Sequence, residues 1–184
     1  QARGRLVQEA RAAGRLRHPN IVTIFDAGEH AGAPYIAMEH LGGETLRSLI
    51  RQRAPVSLGR RLALIEGACA GLAHAHRASV VHLDVKPDNL MLDVSGVLKV
   101  LDFGIARVLK SGVLMTMHVA GTLRYMSPEQ VRVEPLDHRS DVLSFGSVLH
   151  EMRAREPPVR GKSGLETTSA ILSSPAPRLP ALGG

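Results

Sequence analysis

Three strings constrain this chain more than anything else in it: HLDVKPDNLML at 82–92, LKVLDFGIAR at 98–107 and GTLRYMSPE at 121–129. Each sets carboxylates, an amide, a lysine or hydroxyls at close spacing beside short apolar runs. Leu90 to Leu92 and Val97 to Leu101 read as short strands, with Ser95-Gly96 turning the chain between them. Val80-Val81 reads as another. From Phe103 to Glu129 there is little periodicity, which predicts a long ordered loop. Loops of that length inside a compact domain are usually functional.

The flanking segments supply helices. Gln1 to Arg17 carries Leu6, Ala10 and Ala13 at helical spacing, and His18-Pro19-Asn20 ends it, because a residue before proline avoids the helical region. Ile21 to Ala27 and Tyr35 to His40 read as a hairpin around a turn at Gly28 to Pro34. After the Gly42-Gly43 breaker comes a short helix, Thr45 to Arg51. Ser57 caps a long helix to about His76, with a stripe of Leu58, Leu62, Ile65, Cys69 and Leu72 expected to be buried. Asp141 to Met152 is helical, with Val142, Phe145, Leu149 and Met152 on one face, and Leu165 to Leu172 is a last short helix. The tail from Ser173 to Gly184 is rich in proline and glycine and is expected to be loose.

Composition narrows the class. At 184 residues, 44% of them hydrophobic, the chain is long enough for a real core, alone or as part of a larger domain. No apolar run is long enough to cross a bilayer, and the Arg-rich start lacks the apolar stretch of a signal peptide. The chain opens without a methionine, which suggests a start inside a longer gene product. The net charge of +6 comes from scattered arginines, and two tyrosines and three phenylalanines offer little to stack on bases, so nucleic acid is not expected as a partner. The one cysteine, Cys69, cannot form an internal disulfide; a reducing cytosol fits, and core packing is its expected role. His74 and His76 do not share a helix face, and no other pair among the nine histidines has zinc-ligand spacing.

In order and mutual spacing, the three strings resemble the catalytic loop, the metal-binding loop and the end of the activation segment of protein kinases. The resemblance covers nearly the whole chain. It implies an α+β, two-lobed fold: a partial N-lobe of one helix and a hairpin with the hinge (1–41), a mainly helical C-lobe (42–172) and the tail (173–184). It implies ATP and Mg2+ as cofactors and a protein Ser or Thr hydroxyl as acceptor. Asp84 matches the aspartate that takes or orients the proton of that hydroxyl. Lys86 would stabilise charge on the transferred phosphoryl group, and Asn89 and Asp102 would hold Mg2+. Oxygen-rich arms of this kind suit a hard cation.

Other positions follow from the same resemblance. KPDN and Thr122 point to the serine/threonine branch. Met38, Glu39 and Leu41 match the gatekeeper and hinge, whose backbone would meet the adenine, and Met91 would lie under it. Glu9 matches the glutamate that pairs with the ATP-binding lysine. His82, Phe103, Ile24 and Ala13 match the spine linking the lobes, and Gly104 closes DFG. Asp141 would anchor the catalytic loop. YMSPEQ, DHRSDVLSFG and ETTSAIL look like bacterial kinases of the eukaryotic-like family, whose sensor domains often lie beyond the kinase. A cytoplasmic location is implied, with membrane anchoring open for a full-length protein.

Four departures from the pattern stand out. No glycine-rich loop and no strand lysine precede Glu9. Leu83 stands where most kinases have arginine, so phosphorylation at Thr116, the best loop candidate before Ser111, is expected to have lost its usual clamp. Leu143 replaces a common tryptophan, which is expected to alter packing. Glu129 would lack the arginine that usually pairs with it, leaving the activation segment poorly held and apolar surface exposed. The leading reading is a serine/threonine protein kinase present as a fragment; a pseudokinase or truncated binding module, and a small-molecule phosphotransferase, are the other two.

Overall fold

The computed structural model describes residues 13–53, 55–103, 120–175 and 177. Two small antiparallel sheets and six helices are seen among them. Strands β1 (Ile24–His30) and β2 (Ala33–Met38) form a hairpin whose register runs from Ile24 opposite Met38 to His30 opposite Ala33. Ala31 and Gly32 turn the chain, both at positive φ (50° and 78°). That is the backbone a tight two-residue turn requires. The expected turn at Gly28 to Pro34 is therefore too wide: Gly28 and Pro34 are paired strand residues.

The second sheet has the order β3 (Glu44–Thr45), β4 (Leu90–Leu92), β5 (Leu98–Val100). Leu90, Met91 and Leu92 face Val100, Lys99 and Leu98. Gly96 takes φ 80° in the intervening turn. Asp93 organises that turn by accepting hydrogen bonds from the Ser95 and Val97 N–H groups. Ile21 forms a parallel bridge to Val100, and the Val22 N–H donates to the Val100 carbonyl, so the segment before β1 lies along β5.

Helix α1 (Leu46–Gln52) starts where Thr45 accepts from the Ser48 N–H, and α2 (Leu58–Arg77) where Ser57 accepts from the Arg60 N–H. Both are N-caps that satisfy an otherwise orphaned donor. Helices α3 (Ala120–Leu123) and α4 (Pro128–Arg132) follow, and the Ser127-x-x-Gln130 capping box opens α4. Asp137 caps α5 (His138–Ala154) and Ser163 caps α6 (Gly164–Ser173).

One core joins α1, α2, α5 and the strands β1, β4 and β5. Leu46 and Ile50 of α1, Leu64, Ala68, Leu72 and Ala75 of α2, the strand residues Leu90, Leu92, Leu98 and Val100, and Phe145 and Val148 of α5 are all buried in it. The buried face of α2 is only partly the expected one: Leu72 is buried and Ile65 packs against the core, but Leu58, Leu62 and Cys69 are exposed. Gly67 and Gly71 replace bulk on the inner face, because Asn20 lies against them. A Cβ at Gly71 would meet the Asn20 carbonyl oxygen at 2.8 Å, and one at Gly67 the Asn20 amide nitrogen at 2.8 Å. Asn20 in turn donates to the Leu98 carbonyl. Close backbone approach, not side-chain hydrophobicity, selects this face.

Other expectations shift as well. Val80-Val81 is not a strand: the Val80 N–H closes back on the Ala75 carbonyl at the end of α2. On α5, Val142 and Leu143 are exposed, while Ser140, Asp141, Ser144 and Glu151 are buried with Phe145 and Val148. Leu143 therefore does not pack in the core. The segment expected as a loop to Glu129 contains α3 and the start of α4. Of the expected first helix, residues 1–12 lie outside the described residues; Ala13 is helical, Gly14 and Arg15 turn the chain, and it does not stay helical to Arg17. Most of the tail also lies outside. No helix among the described residues is long and apolar enough to cross a membrane.

Candidate active site

The loop from His82 to Asn89 is fastened from beneath. Asp141, in the first turn of α5 and 1% exposed, accepts the His82 N–H at Oδ2 (2.8 Å) and the Leu83 N–H at Oδ1 (2.7 Å). His76 of α2 also meets Asp141 Oδ2, at 2.7 Å from Nε2. Leu83 has φ 63°, a costly conformation for a residue with a Cβ. Both of its backbone groups are held, since its carbonyl accepts from Gln130 Nε2 at 2.8 Å. Gln130 also closes the α4 capping box onto the Ser127 N–H, so one side chain ties the start of α4 to this loop.

His82 is fully buried. Its Nδ1 accepts the Asp84 N–H (3.2 Å), so its Nε2 carries the proton donated to the Leu101 carbonyl (2.6 Å). Burial pushes its pKa below the ordinary value; the carboxylates of Asp141, Asp84 and Asp102 only partly offset this. The neutral ring lies against Phe103, centroids 4.8 Å apart. Phe103, Ile24 and Ala13 are buried in the common core.

Asp84, Lys86, Asn89 and Thr122 converge. Lys86 Nζ is 2.8 Å from Asp84 Oδ2 and 3.3 Å from Thr122 Oγ1. Asn89 Nδ2 donates to the Asp84 carbonyl (2.9 Å) and to Asp84 Oδ2 (3.1 Å). A short 3-10 helix, Pro87–Asn89, delivers Asn89 to this position. Pro87 fixes φ at its first residue, where no N–H is needed. The Asn89 carbonyl accepts the Leu101 N–H at 2.9 Å, so Asp102 follows one residue after a direct bond between the two loops. Asp102 has φ 59° and is partly exposed. Asn89 Oδ1, whose amide nitrogen is committed to Asp84, and the Asp102 carboxylate are hard oxygen donors. Such a pair suits Mg2+, which takes few protein ligands and the rest from phosphate and water.

The residues matched to the adenine end lie on β2, on the segment after it and on β4. Met38 ends β2 and is exposed; Met91 is half-buried in β4. Glu39 has a side-chain role that sequence reasoning missed. Its Oε1 accepts from Lys99 Nζ (2.8 Å) and from the Thr23 N–H (2.7 Å), while its own N–H donates to the Thr23 carbonyl. Burial raises the Glu39 pKa, but the Lys99 and Thr23 hydrogen bonds outweigh it and hold the carboxyl below its usual range. Leu41 is half-buried beyond the strand.

Glu129 is not left unpaired. Ser140 Oγ donates to it at 2.6 Å, and such bonds outweigh burial and lower its pKa. The expectation of a costly isolated carboxylate is thus corrected: α5 supplies a hydroxyl. Glu9, Gly104, Ser111 and Thr116 lie outside the described residues. Three further participants escaped the sequence: His76, Gln130 and Arg47, whose guanidinium meets Asp88, Tyr125 and Glu151. Only Gln130 had a readable signal, the Ser-x-x-Gln capping spacing.

Comparison with known proteins identifies the family. The family model described as the protein kinase domain matches residues 1–178. A probable serine/threonine-protein kinase of Corynebacterium efficiens is 43% identical over 168 residues, covering 88% of this chain and 26% of that protein. The serine/threonine-protein kinase PknB of Mycolicibacterium smegmatis is 43% identical over 166 residues, covering 86% of this chain and 27% of its own length. A probable PknB of Bifidobacterium longum is 39% identical over 194 residues, 97% of this chain and 28% of its own. The chain therefore spans about a quarter of the length of these curated relatives. On the family match and on these identities, it belongs to the protein kinase domain family.

Proposed function

We propose that this chain carries the catalytic residues of a serine/threonine protein kinase that moves the γ-phosphoryl group of ATP to a protein hydroxyl. One observation carries the reading: the Asp84 carboxylate is held by both Lys86 and Asn89, while the same Lys86 reaches Thr122. A carboxylate, a cation and a hydroxyl thus surround one point, which supports the reading of Asp84 as the base. Asp84 accepts the proton as the acceptor's Ser or Thr oxygen bonds to phosphorus and the bond from phosphorus to the β-phosphate oxygen breaks. Lys86 offsets charge on the transferring group, and Thr122 orients the acceptor. Bound Mg2+ would be held by Asn89 and Asp102 and would neutralise phosphate charge. The adenine would lie between Met91 and the Glu39–Leu41 backbone. ATP supply places this reaction in the cytoplasm, and a sensor domain elsewhere in a longer product is compatible with it.

The test is transfer of labelled γ-phosphate to a Ser/Thr-rich acceptor protein, with Mg2+. It is run on this chain and on the gene product that contains it. Asp84→Asn is expected to lower the rate by about 10²–10⁴-fold, the range for losing a positioned base. Asp102→Asn is expected to abolish the Mg2+-supported transfer of phosphate from ATP. If neither protein transfers label although both bind ATP, the catalytic reading fails and the binding-module reading replaces it. Labelling of a soluble metabolite with no labelled protein would favour a small-molecule phosphotransferase.

A further inference from the structure

Near the catalytic loop lies a buried ionic cluster that the proposed chemistry does not use. Arg47, in the first turn of α1, sends Nη1 to Glu151 Oε1 at 2.5 Å. Its Nη2 reaches the Tyr125 hydroxyl at 2.6 Å and Asp88 Oδ2 at 3.1 Å, and its Nε reaches Asp88 Oδ2 at 3.3 Å. The Tyr125 hydroxyl, having accepted from Arg47, donates to Glu151 Oε2. The guanidinium carbon sits 5.6 Å from the centroid of the Tyr125 ring. Tyr125 and Glu151 are buried, while Asp88 is at the surface. Burial with the Glu151 bond drives the Tyr125 pKa well above its ordinary value, so the phenol stays protonated and able to donate.

The cluster touches four separate segments: α1, the 3-10 helix of the catalytic loop, the stretch after α3, and α5. Two of these flank Lys86. Asp88 lies two residues beyond it. Tyr125 is joined to Thr122 by a turn in which the Tyr125 N–H donates to the Thr122 carbonyl (3.1 Å), and Thr122 meets Lys86. Ser144 of α5 fixes the Tyr125 carbonyl at 2.7 Å. We infer that Arg47 is a positioning residue for the phosphoacceptor end of the site: its fork sets the spacing between the catalytic loop and the segment that carries Thr122. This rests on the kinase reading for its catalytic consequence, though not for its geometry. A planar guanidinium with several donors in fixed directions can serve three partners at once; an ammonium cannot hold the same spacing.

Removing Arg47 alone would strand the Glu151 carboxylate, so the test uses a paired variant, Arg47→Met with Glu151→Gln, and separately Arg47→Lys. Three quantities are measured on the full chain: the thermal midpoint, amide hydrogen exchange at 85–89 and 122–126, and kcat and KM for acceptor and ATP. The paired variant is expected to melt within a few degrees of the parent. Its two segments should exchange faster, and kcat should fall about tenfold, the loss expected from a small misplacement of reacting groups, with the KM for ATP unchanged. Arg47→Lys is expected to keep the midpoint but not kcat. Parental exchange in both segments, or kcat that recovers together with the midpoint, would overturn the proposal. Should the parent transfer no phosphate, the kinase reading fails instead, and the exchange measurement still decides the role of Arg47. If the paired variant does not fold, Arg47→Lys carries the decision.

Discussion

Asp141 uses both carboxylate oxygens on the backbone of the catalytic loop and shares one of them with His76. Asp141→Ala would leave two buried N–H groups without an acceptor. It is expected to cost about 3–5 kcal/mol in chemical denaturation, the range for breaking a buried charged partnership. Its neighbour His82 sets a pH dependence. The folded chain keeps His82 neutral, its pKa below the ordinary 6.5, mainly through burial. The unfolded chain binds a proton near 6.5. Stability is therefore full above that value and declines as pH falls below it, by up to about 1.4 kcal/mol per pH unit. His18 adds to this in the same direction, its pKa lowered by burial and by the charges of His74 and Arg77. The check is the denaturation midpoint from about pH 7.5 to 5.5 beside the His82 ring resonance, which should not titrate while the fold persists. A resonance that titrates near 6.5 in the folded protein would refute it. The role of Asp141 could be inferred from its family motif. The His76 contact could not, because residues 65 positions apart meet only when α2 and α5 pack.

At the scale of elements, the Ser57 cap was legible and the buried faces were legible in part. Ser57 caps α2 as expected, while Thr45, read as the first residue of its helix, and Ser127, read as loop, prove to be caps as well. The buried face of α2 could be read only in part from hydrophobicity, because Gly67 and Gly71 bring it against Asn20. Gly71→Ala should force the Asn20 carbonyl and Val100 apart and destabilise by about 1–3 kcal/mol, as overpacking does. Gly146 of α5 faces open space, so Gly146→Ala should stabilise by about 1 kcal/mol through helix propensity. Paired urea titrations would show the opposite signs; equal signs would show that α2 is not held by this close approach.

Across the whole molecule, the β1–β2 hairpin is tied to the second sheet by few polar contacts. Glu39 bridges Lys99 of β5 and the Thr23 N–H, and Val22 and Asn20 pair with Val100. The Lys99–Glu39 pair is only partly exposed, so salt screens it less than a surface ion pair. Lys99→Met is expected to speed amide exchange through Ile24–Met38 severalfold while leaving the amides of α2 and α5 at parental rates. Uniform acceleration would mean that the hairpin and the larger body unfold as one unit.

Local sequence carried the hairpin between Leu90 and Val100, the helices α1, α2, α5 and α6 and the Ser57 cap, but not α3 or α4. It also marked Asp84, Lys86, Asn89, Thr122 and Asp102 as the chemically loaded positions. These are local matters: a cap, a turn or a motif is written in residues close together along the chain. Tertiary structure decided what lies under and between them. Asp141 and Gln130 fasten Leu83 in a left-handed backbone. Ser140 satisfies Glu129, and Arg47 gathers Asp88, Tyr125 and Glu151 from segments up to 104 positions apart. Such contacts leave no periodic trace. Each depends on which face of a helix turns inward, and here backbone packing at glycines and buried polar bonding, more than apolar pattern, made that choice.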